Sequence, residues 1–330
     1  MKRVMPVVVA LLLVGGVAWW WMREPQLAAS PRSVPARAEP GAAVAQTRES
    51  VDGPAPAATM KEDSGETPAT PATRDDYARL RASNDYFAFA QQMYPLAKQG
   101  DPAAEYYLSS ALTYCESLYD WYFIEYSPNG TPRHRTLDEA LQLTAVRPMF
   151  KPDDVRDIQQ RCQKLRRMNP PPFGSSRDWL DAAIDAGFPL AQASEALNLS
   201  LQGHDRANSD KAQAARNAAR EMALEALRTR DPRVMAQMGD VAANLASGSP
   251  AKARISQWAW PLAACLRETN CESMTDWMQL FCNIDTQCQP FETAVDIIRR
   301  QAGNDYDEVE RRARELNEKI DAGTLEKGDI

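Results

Sequence analysis

The sequence predicts an all-α fold of stacked antiparallel helical hairpins, preceded by a single transmembrane helix and a disordered linker. Apolar residues recur at helical spacing, Gly is rare at 15 of 330 residues, and no segment alternates as a strand does. A turn motif, Gly100-Asp101-Pro102, separates two of the helical segments. Gly suits the left-handed residue that ends a helix, Asp caps the next helix, and Pro fits its first position.

Residues 4–22 form a charge-free apolar run directly after Lys2 and Arg3. A helix of this length spans roughly 28 Å, which is about the thickness of the hydrocarbon layer of a bilayer. Because positive residues stay in the cytoplasm, residues 1–22 are expected to be a single-pass anchor in the inner (plasma) membrane. The N-terminus would be cytoplasmic and the rest of the chain periplasmic, or extracytoplasmic. A cleaved signal peptide is the alternative, although its apolar region is normally shorter.

Residues 23–74 contain no Phe, Trp or Tyr and are rich in Pro and Ala. Such a composition buries too little apolar surface to offset the entropy cost of ordering, so this segment is expected to be a disordered linker. Aromatic residues return at Tyr77. The folded, helical domain is therefore expected to span residues 75–330.

Helices are predicted within this domain from apolar periodicity, caps and breaks. Thr136 and Glu139 have the spacing of a capping box, and Asn129-Gly130 is a turn sequence. Pro261 is expected to kink or divide its helix. The predicted helices cover about 75–99 (with a break near Asn84), 102–125, a short segment from Thr136, 152–168, 177–186, 189–202, 210–229, 232–247, 250–268, 273–284, 291–302 and 305–321.

The segment from Leu96 to Leu108, Leu-Ala-Lys-Gln-Gly-Asp-Pro-Ala-Ala-Glu-Tyr-Tyr-Leu, resembles the junction of Sel-one-like repeats, which are relatives of the tetratricopeptide repeat. The segment from Trp179 to Gln192 is similar, and Met222 to Pro232 is less so, because Thr229-Arg230 replaces the expected Gly. The spacing makes residues 126–175 an insertion. The resemblance implies a concave surface that binds proteins or peptides. An ordinary helical bundle with similar turns is the alternative.

Six cysteines are expected to form disulfides, because an even number outside the inner membrane is typical of a disulfide framework. The spacing does not fit a zinc site, and no metal is expected. A parallel arrangement, in which Cys265 pairs with Cys282 and Cys271 pairs with Cys288, also stays open. The favoured pairs are Cys265–Cys271, Cys282–Cys288 and, by elimination, Cys115–Cys162.

The residues most suggestive of chemistry lie between Tyr114 and Glu125. Glu116 and Asp120 are four residues apart, hence on one helical face, and aromatic residues surround them. Carboxylates beside aromatic rings are typical of glycosidases. The alternative interpretation is that the rings pack in the core and the acids face water. If the rings instead line a binding groove, its residues are Tyr107, Tyr114, Trp121 and Tyr122.

Composition excludes some classes of function. The formal charge is −7 and the pI about 5.1, without the basic stripe that nucleic-acid binding requires. His134 and His204 have no nucleophile motif beside them, which argues against a histidine-dependent hydrolase. We therefore expect a membrane-anchored module, without cofactor or catalytic residues, that binds a protein or peptide partner. The alternatives are a protein that binds or hydrolyses cell-wall peptidoglycan, and an immunity protein that neutralises a secreted toxin.

Overall fold

The computed structural model describes one compact unit of the chain. The predicted anchor, the linker and the helix at 273–284 lie outside the described residues, as does His204. No helix in the described part is both long and apolar enough to cross a membrane. The described residues are 75–127, 129–146, 151–168, 172–203, 209–246, 249–268, 271 and 293–330.

The described chain is mainly helical, which confirms the all-α prediction in its main feature. Short 3₁₀ turns at Gly303–Asp305 and Lys327–Asp329 flank the last helix. The helices are α1 (Asp76–Ala82), α2 (Tyr86–Ala97), α3 (Pro102–Tyr114), α4 (Asp120–Phe123), α5 (Leu137–Val146), α6 (Pro152–Arg166), α7 (Ser176–Asp185), α8 (Pro189–Gln202), α9 (Ser209–Leu227), α10 (Pro232–Leu245), α11 (Pro250–Cys265), α12 (Ala294–Ala302) and α13 (Tyr306–Ala322).

The helix predicted over 102–125 is confirmed as far as Phe123 and is wrong only at its last two residues, where a strand begins. After α3 the chain makes a π-helical turn, Cys115–Tyr119, and then enters α4. Strand β1 (Ile124–Tyr126) follows and pairs antiparallel with β2 (Pro132–His134), so the expectation of no strands is also wrong. The cause is local. The Asn129-Gly130 turn reverses the chain, with the Gly130 N–H donating to the Ser127 carbonyl, and the two flanking segments then pair.

The predicted break near Asn84 is confirmed between α1 and α2. Asp85 caps α2, since its carboxylate accepts hydrogen bonds from the N–H groups of Phe87 and Ala88. The apolar face of α2 is buried, apart from Leu96, which is half-buried. Its buried residues are Tyr86, Phe89, Ala90, Met93 and Ala97.

Three turns share the predicted conformation. Gly100 and Gly187 have φ of +81° and +77°, and Arg230 adopts the same left-handed region at φ +58°. The N–H of each donates to the carbonyl three residues earlier, which satisfies a helix end. A Pro follows two residues later at the start of α3, α8 and α10. Arg230 therefore takes the place of a turn glycine, at a cost in backbone strain.

Helix pairing agrees only partly with the predicted hairpins. Helices α2 and α3 pack as an antiparallel pair across Gly100, and α3 also packs on α7. Further along, α8 packs most closely on α9 and α10 packs most closely on α11, while α11 also packs on α13. The helices that flank Gly187 and Arg230 touch each other less. The closest pairs there are thus joined by the loops after Gln202 and Leu245.

The pair α10–α11 approaches closely at Gly239. A Cβ atom at Gly239 would lie 2.5 Å from the carbonyl oxygen of Gln257 and 2.9 Å from Cδ of Pro261. Pro261 has no N–H to donate to that carbonyl, its partner in a regular helix. Helix α11 nevertheless continues through Pro261, so of the two predicted outcomes, a kink or a division, the division is wrong.

Two of the predicted disulfides are confirmed. Cys115–Cys162 joins the π-helical turn to α6, and Cys265–Cys271 closes a short loop after α11. The alternative pairing of Cys265 with Cys282 is therefore wrong. Residues 282 and 288 lie outside the described part of the chain.

Candidate functional site

The four aromatic residues predicted to line a groove are mostly packed against other side chains. Tyr107 and Tyr122 are buried, at 4% and 0% exposure, while Tyr114 and Trp121 are half-buried. Tyr114 meets the ring of Tyr86 edge-on at 5.3 Å. Burial raises the pKa of the Tyr107 and Tyr114 phenols well above the ordinary range. The core interpretation of these rings fits better than an open groove.

The π-helical turn aims Glu116 and Asp120 at neighbouring elements. Glu116 accepts a hydrogen bond from the Ser176 hydroxyl at 2.5 Å, which ties the turn to the start of α7. Two guanidinium nitrogens of Arg166 donate to the Asp120 carboxylate, Nε to Oδ1 at 3.0 Å and Nη2 to Oδ2 at 2.5 Å. Burial raises the pKa of Asp120, although Arg166 acts in the opposite direction.

These bonds account for both carboxylates structurally. A bidentate Arg–carboxylate pair fixes geometry, and it occupies the oxygens that a general acid or base would need for substrate. Glu116 and Asp120 are both partly exposed, and each is held by a neighbouring side chain rather than directed at a shared substrate position. Sequence analysis missed Arg166 and Ser176, because 46 and 60 residues separate them from their partners.

The hairpin formed by β1 and β2 is the most distinctive surface feature near these residues. Arg133 lies between two carboxylates, with Nη2 2.6 Å from Glu125 and Nη1 2.9 Å from Glu139. Glu139 also accepts from the backbone N–H of Thr136, and this bond together with Arg133 lowers its pKa to about 2. The predicted capping box is thus present and is linked to the hairpin.

Tyr126 lies at the outer end of this hairpin and is 65% exposed. It stands opposite Pro132, which is also exposed, so a ring and a proline share one face of the hairpin. Arg135 donates to the carbonyls of Tyr122 and Ile124 and holds the base of the hairpin to α4. The sequence signal for this surface was Asn129-Gly130, which predicted the turn but not the strands.

A second polar cluster joins α1, α3 and α10. The Arg233 guanidinium lies 5.5 Å from the centre of the Tyr77 ring and donates to the Tyr107 hydroxyl at 3.1 Å. Asp231 binds the other side of the same guanidinium, at 2.8 Å. Sequence analysis missed this cluster, since its members come from three distant segments.

Metal ligands are not grouped in the part of the chain described above, where no three His, Cys, Asp or Glu side chains are placed to hold an ion.

Comparison with protein-family models, with curated proteins and with solved structures found no match to this chain. The likeness to Sel-one-like repeats therefore rests on the turn motifs alone.

Proposed function

We propose that the chain is a helical module, held outside the cytoplasm, that binds another protein through a surface including the hairpin β1–β2. The observation that carries this proposal is Tyr126, 65% exposed on a hairpin that Arg133 and Arg135 brace. Aromatic side chains often dominate binding energy at interfaces. A ring on a rigid support also loses little conformational entropy when it is bound.

The disulfides support the proposed location. Cys115–Cys162 and Cys265–Cys271 would persist in an oxidising compartment and not in a reducing cytoplasm. This agrees with the predicted anchor at residues 4–22, which would leave the folded domain on the periplasmic side of the inner membrane. Hydrolysis of peptidoglycan is not proposed, because Glu116 and Asp120 are engaged by Ser176 and Arg166.

Site-specific photo-crosslinking in intact cells tests the proposal. A photoreactive amino acid would replace Tyr126 in the full chain, and Glu221 in a matched control. The Glu221 side chain is also 65% exposed and lies on α9, away from the hairpin in sequence. We expect one protein to be crosslinked from position 126 and not from 221. Equal crosslinking at both positions, or none at either, would rule out the hairpin as the binding surface.

The identity of the crosslinked protein distinguishes two roles for the module. A secreted toxin would identify an immunity protein, whereas a resident membrane or periplasmic protein would identify a scaffold. Both roles use the same surface, and the crosslink at position 126 is required for either.

A further inference from the structure

Helix α10 presents one polar stripe to the outside of the protein. After the first turn of α10, the residues that are not fully buried recur at spacings of three and four, so they lie along one side of the helix. These residues are Ala236, Gln237, Asp240, Ala243 and Asn244. The stripe therefore carries a single charge, that of Asp240, between two side-chain amides.

The stripe lies between two other helices, α8 and α11, which both pack on α10. Along one edge, the Asn244 amide donates to the Ser200 hydroxyl of α8 at 3.1 Å. Along the other edge, Gly239 lies against the backbone of α11, and the Gln257 amide of α11 donates to Asp240 at 3.4 Å. The stripe is thus the floor of a groove, and α8 and α11 are its walls.

Asp240 is an exposed carboxylate, yet burial by the surrounding protein raises its pKa. A group that keeps contact with water while protein surrounds it lies in a concave part of the surface. Asp120 is also raised in pKa by burial, but it is paired with Arg166. Among the described residues, the only hydrogen-bond partner of Asp240 is the neutral amide of Gln257. A cation from another molecule would therefore complement a charge that this part of the chain leaves without one.

The rest of the groove suits a peptide backbone. Gln237 and Asn244 carry side-chain amides, and each amide can both donate to a peptide carbonyl and accept from a peptide N–H. Ala236 and Ala243 are small, which lets a second chain approach α10 closely. An extended segment offers its own N–H and C=O groups to such amides, whereas a helix has already paired most of these groups within itself.

We propose that this groove on α10 binds an extended segment of another protein, and that a lysine or arginine of that segment pairs with Asp240. The amides of Gln237 and Asn244 hydrogen-bond the backbone of the bound segment. Asp240 gives the groove its selectivity, because a neutral side chain at the same position would leave the carboxylate without a counter-charge. The groove goes beyond the hairpin surface proposed above and does not rest on it.

Selection from a phage-displayed library of random dodecapeptides tests the groove on the full chain in detergent. We expect the selected peptides to share a lysine or arginine, and to bind Asp240→Asn about tenfold more weakly than the wild type. Asp307→Asn is the matched control, since it removes the same charge from an exposed position on α13 and should bind as the wild type does. Circular dichroism would check that each variant is folded.

A double-mutant cycle then tests whether the basic residue meets Asp240. Replacing that residue of the tightest peptide with Gln should weaken binding about tenfold to the wild type, but little to Asp240→Asn. Gln237→Ala should weaken binding to both, because it removes a backbone contact and leaves the charge pair intact.

Three results would overturn the proposal. They are a selection that enriches no peptide, enriched peptides without a basic residue, and losses that simply add in the cycle. The crosslink from position 126 is unaffected by any of them, so failure here is distinguishable from failure of the proposed function.

Discussion

Replacing Gly239 by Ala tests the close approach of α10 and α11. Helix propensity alone favours the change by about 1 kcal/mol, because Ala is the better residue inside a helix. The new Cβ would lie 2.5 Å from the Gln257 carbonyl oxygen and 2.9 Å from Cδ of Pro261. Neither a backbone carbonyl nor a proline ring can rotate away. Overpacking of this kind costs about 1–3 kcal/mol, and more where the surroundings cannot yield.

Helix propensity and steric overlap change the free energy of unfolding in opposite directions, so the sign of the measured change shows which effect is larger. We expect Gly239→Ala to lower the free energy of unfolding by about 1–2 kcal/mol, since the steric cost exceeds the gain in propensity. Urea unfolding of the full chain, followed by circular dichroism, measures the change. Gly328→Ala is the matched control, because a Cβ there has no atom within 4 Å and φ is not left-handed. A stabilised Gly239→Ala variant would refute the close contact.

Three further predictions concern the turn at Arg230, the Cys115–Cys162 disulfide and the ion pair between Asp85 and Lys164. Arg230→Gly should raise the free energy of unfolding by about 0.5–1 kcal/mol in urea, because Gly adopts φ +58° without strain. The Cys115→Ser and Cys162→Ser double variant should lose about 4 kcal/mol, the loop entropy for a separation of 47 residues. Asp85→Asn should cost about 0.5–1 kcal/mol at pH 7, because it keeps the helix cap but loses the ion pair with Lys164.

The expected pH dependence of the Asp85→Asn effect follows from the direction in which the pKa of Asp85 is shifted. Partial burial opposes ionisation of Asp85, but the Lys164 ammonium and two backbone N–H groups outweigh it and lower the pKa. A lowered pKa stabilises the fold above the ordinary pKa, and that stabilisation is lost as pH falls through the folded-state value. The unfolding free energies of wild type and Asp85→Asn should therefore begin to converge as the pH falls to the ordinary pKa of about 4, and should meet below the folded-state pKa. A difference that does not shrink at all as the pH is lowered from about 7 to about 3 would contradict this explanation.

The other two predictions are contradicted by simple outcomes. An unchanged midpoint for Arg230→Gly would mean that the backbone at this turn is not strained. A double cysteine variant as stable as the wild type, with Cys265–Cys271 intact by mass spectrometry, would mean that the Cys115 link does not restrain the unfolded chain.

Features set by neighbouring residues were predictable from the sequence. The left-handed turns at Gly100 and Gly187 followed from a glycine shortly before a helix-starting Pro, and the break before α2 followed from Asn84. Each depends on backbone conformation and capping within a few residues. The same reasoning recognised the Asn129-Gly130 turn.

Features too short to leave a pattern in the sequence, and features set by distant contacts, were not predictable. Three-residue strands are too short to show alternation, and no residue type marks the π-helical turn at Cys115–Tyr119. The engagement of Asp120 by Arg166 depends on where α6 lies. Aromatic residues at helical spacing predicted either a core or a groove, and only tertiary packing distinguishes the two.

Pro132 also limits the pairing of the exposed hairpin with strands of other chains. Just outside the strands, the backbone N–H of Arg135 donates to the Phe123 carbonyl and that of Ser127 donates to the Thr131 carbonyl. In an antiparallel pair, opposite residues are hydrogen-bonded to each other at every second position. Tyr126 and Pro132 are therefore a pair without hydrogen bonds between them, and the backbone groups of Pro132 point away from β1. Pro has no N–H to offer at that edge. On the other edge, the Ile124 N–H is used by α4 and its carbonyl accepts from Arg135. The hairpin thus resists aggregation by edge-to-edge strand pairing while its tyrosine stays open to contact.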